Sequence, residues 1–196
     1  MRGIILILIG LFIFASCEDQ GLPTPKPRMY PRVKYPVKEF GAFKESYCQF
    51  SFSQPLYAKV KKEEYYFEGK PLDPCWFDLE IKALNTTIHC SYYPINKPKD
   101  FEDYVNDAFK LTGKHNVRAE YIDEILVDNQ KGVTGILFEL TGPVASPLQF
   151  FLTDSTSHFF RGSVYFNSEV NRDSILPVYD FVKEDVLEMI ETFEWK

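Results

Sequence analysis

The sequence contains few of the residues that usually build chemical sites: its 196 residues include only three histidines, four cysteines and ten glycines. His89, His115 and His158 fall in three different predicted elements and lack the close spacing of metal ligands, so no metal site is predicted. No glycine-rich loop opens a helix with a Lys-Ser or Lys-Thr pair, which excludes a phosphate-binding loop of that type. We therefore expect no cofactor.

Long hydrophobic runs are also missing. The longest run, Ile4 to Phe14, has 11 residues, whereas a membrane-spanning helix needs about 20. Arg2 precedes this run and the small residues Ala15 and Ser16 follow it, which is the pattern of a secretory signal that is cleaved. Residues 1–16 are therefore predicted to be a signal peptide, and a multi-pass membrane protein is excluded.

The cysteine at the end of this signal predicts a lipid anchor. The tetrad from Phe14 to Cys17 resembles a bacterial lipobox, although Phe14 stands where leucine is usual. The alternative is a non-lipidated signal with a chance cysteine. Each buried acyl methylene contributes about 0.8 kcal/mol, so two or three chains give stable attachment. We expect the mature protein to begin at Cys17 and to be lipid-anchored in the cell envelope. The anchor is expected in the inner or the outer membrane, and the periplasmic side is favoured.

The three remaining cysteines predict one disulfide in an oxidising compartment. Cys48 and Cys75 each open a strand-like segment, whereas Cys90 lies inside one, where a cysteine more often acts as a small buried hydrophobic residue. The predicted pair is therefore Cys48 with Cys75. The alternative is three reduced thiols in a packed core.

Residues 17–47 form a proline-rich segment that excludes a helix and predicts an extended tether. From residue 18 to residue 47 this segment carries a net charge of +2, whereas residues 48–196 carry 15 basic and 24 acidic side chains, a net charge of −9. That negative domain would repel a polyanion, so no nucleic-acid partner is expected. The tether could lie on anionic headgroups or fold back on the domain. Its aromatic residues favour the second, because they would be costly to expose.

Residues 48–196 predict a single α+β domain. Alternating hydrophobicity predicts strands at 49–53, 56–61, 76–82, 86–93, 133–141, 148–153 and 158–166. Residues 119–127 are ambiguous between helix and strand. Helical spacing predicts one helix that Asp100 caps and a second from Asp173 to about Phe193. This order predicts a mostly antiparallel sheet that two helices cover.

One cluster invites a catalytic interpretation. Asp154, Ser155 and His158 lie close together in the sequence, with Arg161 nearby, and an envelope hydrolase or a small-ligand binder would use them around a pocket. A nucleophilic serine needs a strained elbow and oxyanion donors, and the sequence contains neither. Asp and Ser side chains also bond their own backbone in tight turns, so residues 154–157 are better explained as a hairpin turn.

The sequence from the proline-rich stretch to the end resembles the gliding-motility lipoprotein GldD family of Bacteroidetes. The most specific segments lie in the C-terminal third: residues 149–156 (QFFLTDST), 158–162 (HFFRG), 165–167 (YFN) and 194–196 (EWK). Tyr30-Pro31-Arg32, Cys48 and Pro74-Cys75-Trp76 also fit. The order of elements is similar to the Mog1/PsbP-like sandwich, which is an architectural analogy.

The resemblance implies a non-catalytic cell-envelope lipoprotein that is required for gliding motility. It implies Cys17 as the lipid attachment site and no catalytic residues. It also implies partners among the other Gld lipoproteins or the subunits of type IX secretion. Two hypotheses therefore stand: a scaffold with an exposed apolar patch, or the hydrolase or ligand binder that uses Asp154, His158 and Arg161.

Overall fold

The computed structural model describes residues 32–62, 73–167 and 172–196. These form eleven strands and two α-helices. The strands are β1 (Phe40–Ala42), β2 (Phe50–Ser51), β3 (Ser53–Pro55), β4 (Lys59–Lys62), β5 (Phe77–Ile81), β6 (Thr86–Pro94), β7 (Tyr121–Asp128), β8 (Thr134–Thr141), β9 (Leu148–Thr153), β10 (His158–Phe166) and β11 (Glu194–Trp195); the helices are α1 (Pro98–Gly113) and α2 (Arg172–Thr192). Among these residues no helix has the length and apolar content needed to cross a membrane.

A seven-stranded antiparallel sheet in the order β4-β5-β6-β10-β9-β8-β7 forms the centre of the fold. Two small antiparallel pairs, β1 with β3 and β2 with β11, complete the strand pairing of the described residues. β6 and β10 are neighbours although the α1 helix and three strands separate them in the sequence. The predicted α+β class, with a mostly antiparallel sheet and two main helices, is confirmed.

One face of the sheet, here called the α2 face, carries the larger core. The apolar stripe of α2 lies on it, and all of its members are buried: Val178, Val182, Val186, Met189, Ile190 and Phe193. Phe193 contacts Phe160 of β10 with ring centroids 5.1 Å apart. Removing such an apolar stripe from water is the main favourable contribution to folding. The helical spacing in the sequence predicted that this stripe faces the sheet.

The opposite face, here called the α1 face, is only partly apolar. α1 packs there on Phe138, Phe151 and Phe159, and Phe109 contacts the Phe138 ring edge to face at 5.2 Å. The helix begins at Pro98 and not at Asp100. The Asp100 carboxylate still satisfies free donors, because it lies at the third helical position and accepts from the backbone N–H groups of residues 96 and 97.

Residues 32–47 pack against the rest of the described chain. Phe43 is buried and stacks on Phe52 at 4.7 Å, and Tyr35 contacts Phe181 of α2 at 4.9 Å. The expectation that aromatic residues of the tether fold back is confirmed for this part. The predicted signal peptide and the tether up to residue 31 lie outside the described residues.

Some predicted strand boundaries differ from the structure, and the predicted strand 56–61 begins only at Lys59, as β4. The predicted strand 49–53 is divided into β2 and β3, which pair with β11 and β1. Phe50 and Phe52 both enter the core, where both rings contact Phe43 and Phe193. The ambiguous residues 119–127 contain most of strand β7, which the turn at residues 129–132 joins to β8.

Candidate functional site

A disulfide joins Cys48 to Cys75, with Cα atoms 5.4 Å apart. It connects the start of the predicted domain to the residues just before strand β5. The third cysteine, Cys90, is a buried free thiol in β6. Burial, with a smaller contribution from the charge of Asp78, raises the pKa of this thiol well above its ordinary value. A protonated buried thiol is a poor nucleophile, so Cys90 serves in packing. The predicted lipid attachment site, Cys17, lies outside the described residues.

The turn between β9 and β10 accounts for Asp154 and Ser155. One carboxylate oxygen of Asp154 accepts from the backbone N–H groups of residues 156, 157 and 158 at 2.8 to 2.9 Å. The Ser155 N–H donates to the Thr153 hydroxyl at 2.8 Å, and Ser155 has a positive φ of 63°. Although burial opposes it, the three backbone donors lower the pKa of Asp154. The Asp154 side chain and the Ser155 backbone therefore both serve their own turn.

His158 and Arg161 lie on opposite faces of the sheet. His158 Nδ1 lies 2.6 Å from the Tyr92 hydroxyl, and the imidazole stacks on Trp195 at 5.0 Å on the α2 face. Arg161, three residues further along the same strand, points to the α1 face, where it donates to Gln149 Oε1 at 2.8 Å. Because side chains alternate along a strand, these two residues cannot share a pocket. The hydrolase or ligand-binding hypothesis built on Asp154, His158 and Arg161 is therefore wrong.

The structure places a polar row on the α1 face instead. Asp78, His89, Ser163 and Gln149 stand opposite one another on β5, β6, β10 and β9. Asp78, Ser163 and Gln149 are buried, and Asp78 Oδ1 lies 2.6 Å from His89 Nδ1. This row was not predicted from the sequence, since its members are up to 85 residues apart. The available signal was the polar residue at every second position of β6 from Thr87 to Ser91.

The end of this row near α1 carries positive charge. Gln149 Oε1 accepts from Arg161, and the Thr112 hydroxyl of α1 lies 3.5 Å from the same oxygen. The Nε2 group of Gln149 is buried without a hydrogen-bond partner among the described residues. Burial first, and then the neighbouring Arg161 charge, lower the pKa of His115, so His115 is neutral at pH 7.

Within the polar row, Asp78 and His89 are the pair in hydrogen-bond contact. Within the described residues Ser163 has no hydrogen bond to His89. The backbone donors of β6 and β10 bond to neighbouring strands on both sides, so the row offers no backbone N–H groups for an oxyanion. No group of three or more possible metal ligands is assembled in the described parts of the chain.

The two edges of the sheet differ sharply. β4 has four residues, of which three are lysines, and short, lysine-rich edges resist further strand pairing. β7 has eight residues and no lysine or arginine. Its Leu126 is 85% exposed, Tyr121 63% and Ile125 40%. β7 is therefore a long edge of the sheet with apolar side chains exposed to water.

A buried ion pair fastens residues 32–47 to α2. Lys38 Nζ lies 3.1 Å from Asp185 Oδ1, and its ammonium lies 4.2 Å above the Phe181 ring. The Tyr57 hydroxyl donates to the other Asp185 oxygen at 2.5 Å. Burial raises the pKa of Asp185, while the bonds to Tyr57 and Lys38 oppose that rise. The tether is thereby fixed where it enters the domain, on the side of the sheet that α2 covers.

Comparison with known proteins gives one family. The family model described as gliding motility lipoprotein GldD matches residues 20–195. The solution structure of cyanobacterial PsbP (CyanoP) from Synechocystis sp. is similar at 10% identity, covers 85% of this chain and 98% of that chain, and superposes with a TM-score of 0.43. No curated protein matches the chain.

Proposed function

The chain belongs to the gliding-motility lipoprotein GldD family, and from this membership we propose that it is a non-catalytic scaffold that holds partner proteins of the motility apparatus at a membrane. Lipoproteins of such a family are membrane-anchored in the cell envelope. In this proposal the anchor is the acylated Cys17, on the periplasmic side, and the partners are other Gld lipoproteins or subunits of type IX secretion.

The observation that carries the proposal is the contrast between the surface and the polar groups of the domain. The apolar side chains of β7 are exposed on a long unpaired edge, as an interaction protein requires. The groups that could suggest catalysis are used otherwise: Asp154 holds a turn, His158 stacks on Trp195, and the strands around Ser163 use their backbone donors in the sheet. A scaffold needs the first feature and none of the second.

The anchor is tested with Cys17→Ser in cells fed a labelled fatty acid. We expect no label on the variant, and loss of motility while the protein is still detected by antibody. Cys90→Ala is the matched control, because it removes another thiol and should keep the label. Label on the Cys17→Ser variant would contradict the anchor.

The scaffold role is tested by crosslinking in the intact envelope, followed by mass spectrometry of the adducts of this chain. We expect Gld lipoproteins or subunits of the secretion apparatus in the adducts of the motile parent strain. Recovery of lipid alone, or turnover of a substrate by the purified chain, would overturn the proposal.

A further inference from the structure

Strand β7 has a row of backbone groups that point away from the sheet. The Asn129 N–H donates to Val133 O at 3.2 Å, at the end of the β7-β8 ladder. Hydrogen-bonded and non-hydrogen-bonded pairs alternate along an antiparallel ladder. The odd-numbered residues of β7 therefore bond to β8, and the N–H and C=O groups of Ile122, Glu124 and Leu126 point outward. Within the described ranges no strand pairs with this side.

The side chains of β7 repeat one pattern on both faces of the sheet. The α1 face shows Ile122, Glu124 and Leu126, and the α2 face shows Tyr121, Asp123 and Ile125. Each face thus presents an acidic residue between two apolar residues. Both acids are exposed, and no basic residue lies on the strand.

This pattern selects the charge of an added strand. Directly opposed cross-strand pairs are favourable when both are apolar or when their charges are opposite, and unfavourable when the charges are alike. A second copy of this chain on the same edge would bring further carboxylates and no cation to it. A strand with two consecutive basic residues, flanked on each side by two apolar residues, would instead pair acid with base on both faces.

We propose that β7 binds, by strand addition, an extended segment of a partner protein in which two consecutive lysines or arginines lie between apolar pairs. The inference rests on the proposed scaffold function and gives it a surface and a partner chemistry. Main-chain hydrogen bonds to residues 122, 124 and 126 supply affinity, and the alternate side chains supply specificity.

The test uses the purified full-length lipoprotein in detergent and a fluorescent hexapeptide of sequence Val-Val-Lys-Lys-Val-Val. We expect saturable binding that slows exchange of the amide protons of Ile122, Glu124 and Leu126. The double variant Asp123→Lys with Glu124→Lys should weaken binding about tenfold or more, because two attractive cross-strand pairs become repulsive. It should bind the peptide with two glutamates in the central positions more tightly than the parent does.

The matched control is Glu102→Lys with Asp103→Lys, which reverses another consecutive, exposed acidic pair, on helix α1. It should leave peptide binding within about twofold, as expected for charges far from the contact. Glu124→Pro removes an outward N–H together with one of the two carboxylates, so it should also reduce binding, with far-ultraviolet circular dichroism unchanged.

Absence of binding, binding that both charge reversals weaken equally, or protection of amides outside β7 would overturn the proposal. A dimer of the parent chain that the Asp123→Lys, Glu124→Lys variant abolishes would assign the edge to a second copy instead. If the peptide fails while crosslinks to motility proteins arise from other surfaces, the scaffold function stands and the assignment of its edge falls.

Discussion

Lys38→Met should destabilise the domain chiefly by leaving the Asp185 carboxylate buried without its cation. The side chain of Asp185 is fully buried, whereas that of Lys38 is 25% exposed, and the two charges lie 3.1 Å apart. At an effective dielectric constant near 20, two charges at that distance interact by about 5 kcal/mol. Breaking a buried pair typically costs about 3 to 5 kcal/mol. The partial exposure of Lys38 places the expected loss near the lower limit, at about 3 kcal/mol.

The loss should depend on pH. In the folded parent chain the pKa of Asp185 is already raised above its ordinary value by burial, and removing the Lys38 charge raises it further. Because the Asp185 carboxyl has a higher pKa in the folded state than in the unfolded state, the folded state binds this proton more readily. Acidification therefore stabilises the folded state through this group. The stability difference between the variant and the parent should therefore be greatest at neutral and alkaline pH, and it should narrow on acidification as the Asp185 carboxylate takes up a proton in the folded variant.

Urea denaturation of the full-length chain at several pH values measures this difference. Adding Asp185→Asn to Lys38→Met should restore most of the lost stability, because no buried charge remains. Lys34→Met is the control, since Lys34 is exposed and surface changes of this kind stay within about 0.5 kcal/mol. A loss that is the same at every pH, or that Asp185→Asn does not relieve, would refute the assignment of the effect to the buried pair.

Three further changes test other parts of the fold. Cys48→Ser should lower the free energy of unfolding by about 3.5 kcal/mol, since the bridge to Cys75 closes a loop with a sequence separation of 27. An unchanged melting temperature, together with alkylation of Cys75 in the parent protein, would reject the bridge. Gly162→Ala should cost about 1 to 3 kcal/mol in denaturant titration, because an added Cβ would overlap the Phe150 ring; equal midpoints would show that this ring moves aside. Asn129→Ala should cost about 1 to 2 kcal/mol, because its amide donates to two carbonyl groups at the C-terminal end of α2 at 3.1 and 2.7 Å; Gln130→Ala, whose side chain is exposed in the same turn, should leave the thermal midpoint nearly unchanged.

The sequence was most informative where a local pattern carries the physics. Hydrophobic patterning predicted strands β8, β9 and β10, and the helical stripe of α2 predicted both that helix and its buried face, because periodicity depends on a few neighbouring residues. The same alternation already contained the reason against the catalytic cluster: His158 and Arg161 differ by an odd number of positions in one strand. Family membership followed from short aromatic segments near the C-terminus.

Other features needed the folded chain, because they join residues that are distant in the sequence. Lys38 meets Asp185 across 147 positions, and the polar row spans four strands whose order is not the order of the chain. Periodicity shows that β7 has two faces, but only the sheet order shows that it has a free edge. The amino-acid sequence alone therefore determined which helix face turns inward and to which family the chain belongs, whereas the tertiary structure decided which strands are neighbours and where the sheet stops. The physical reason is that the pairing of distant strands depends on the packing of the whole core, and no local pattern of residues encodes it.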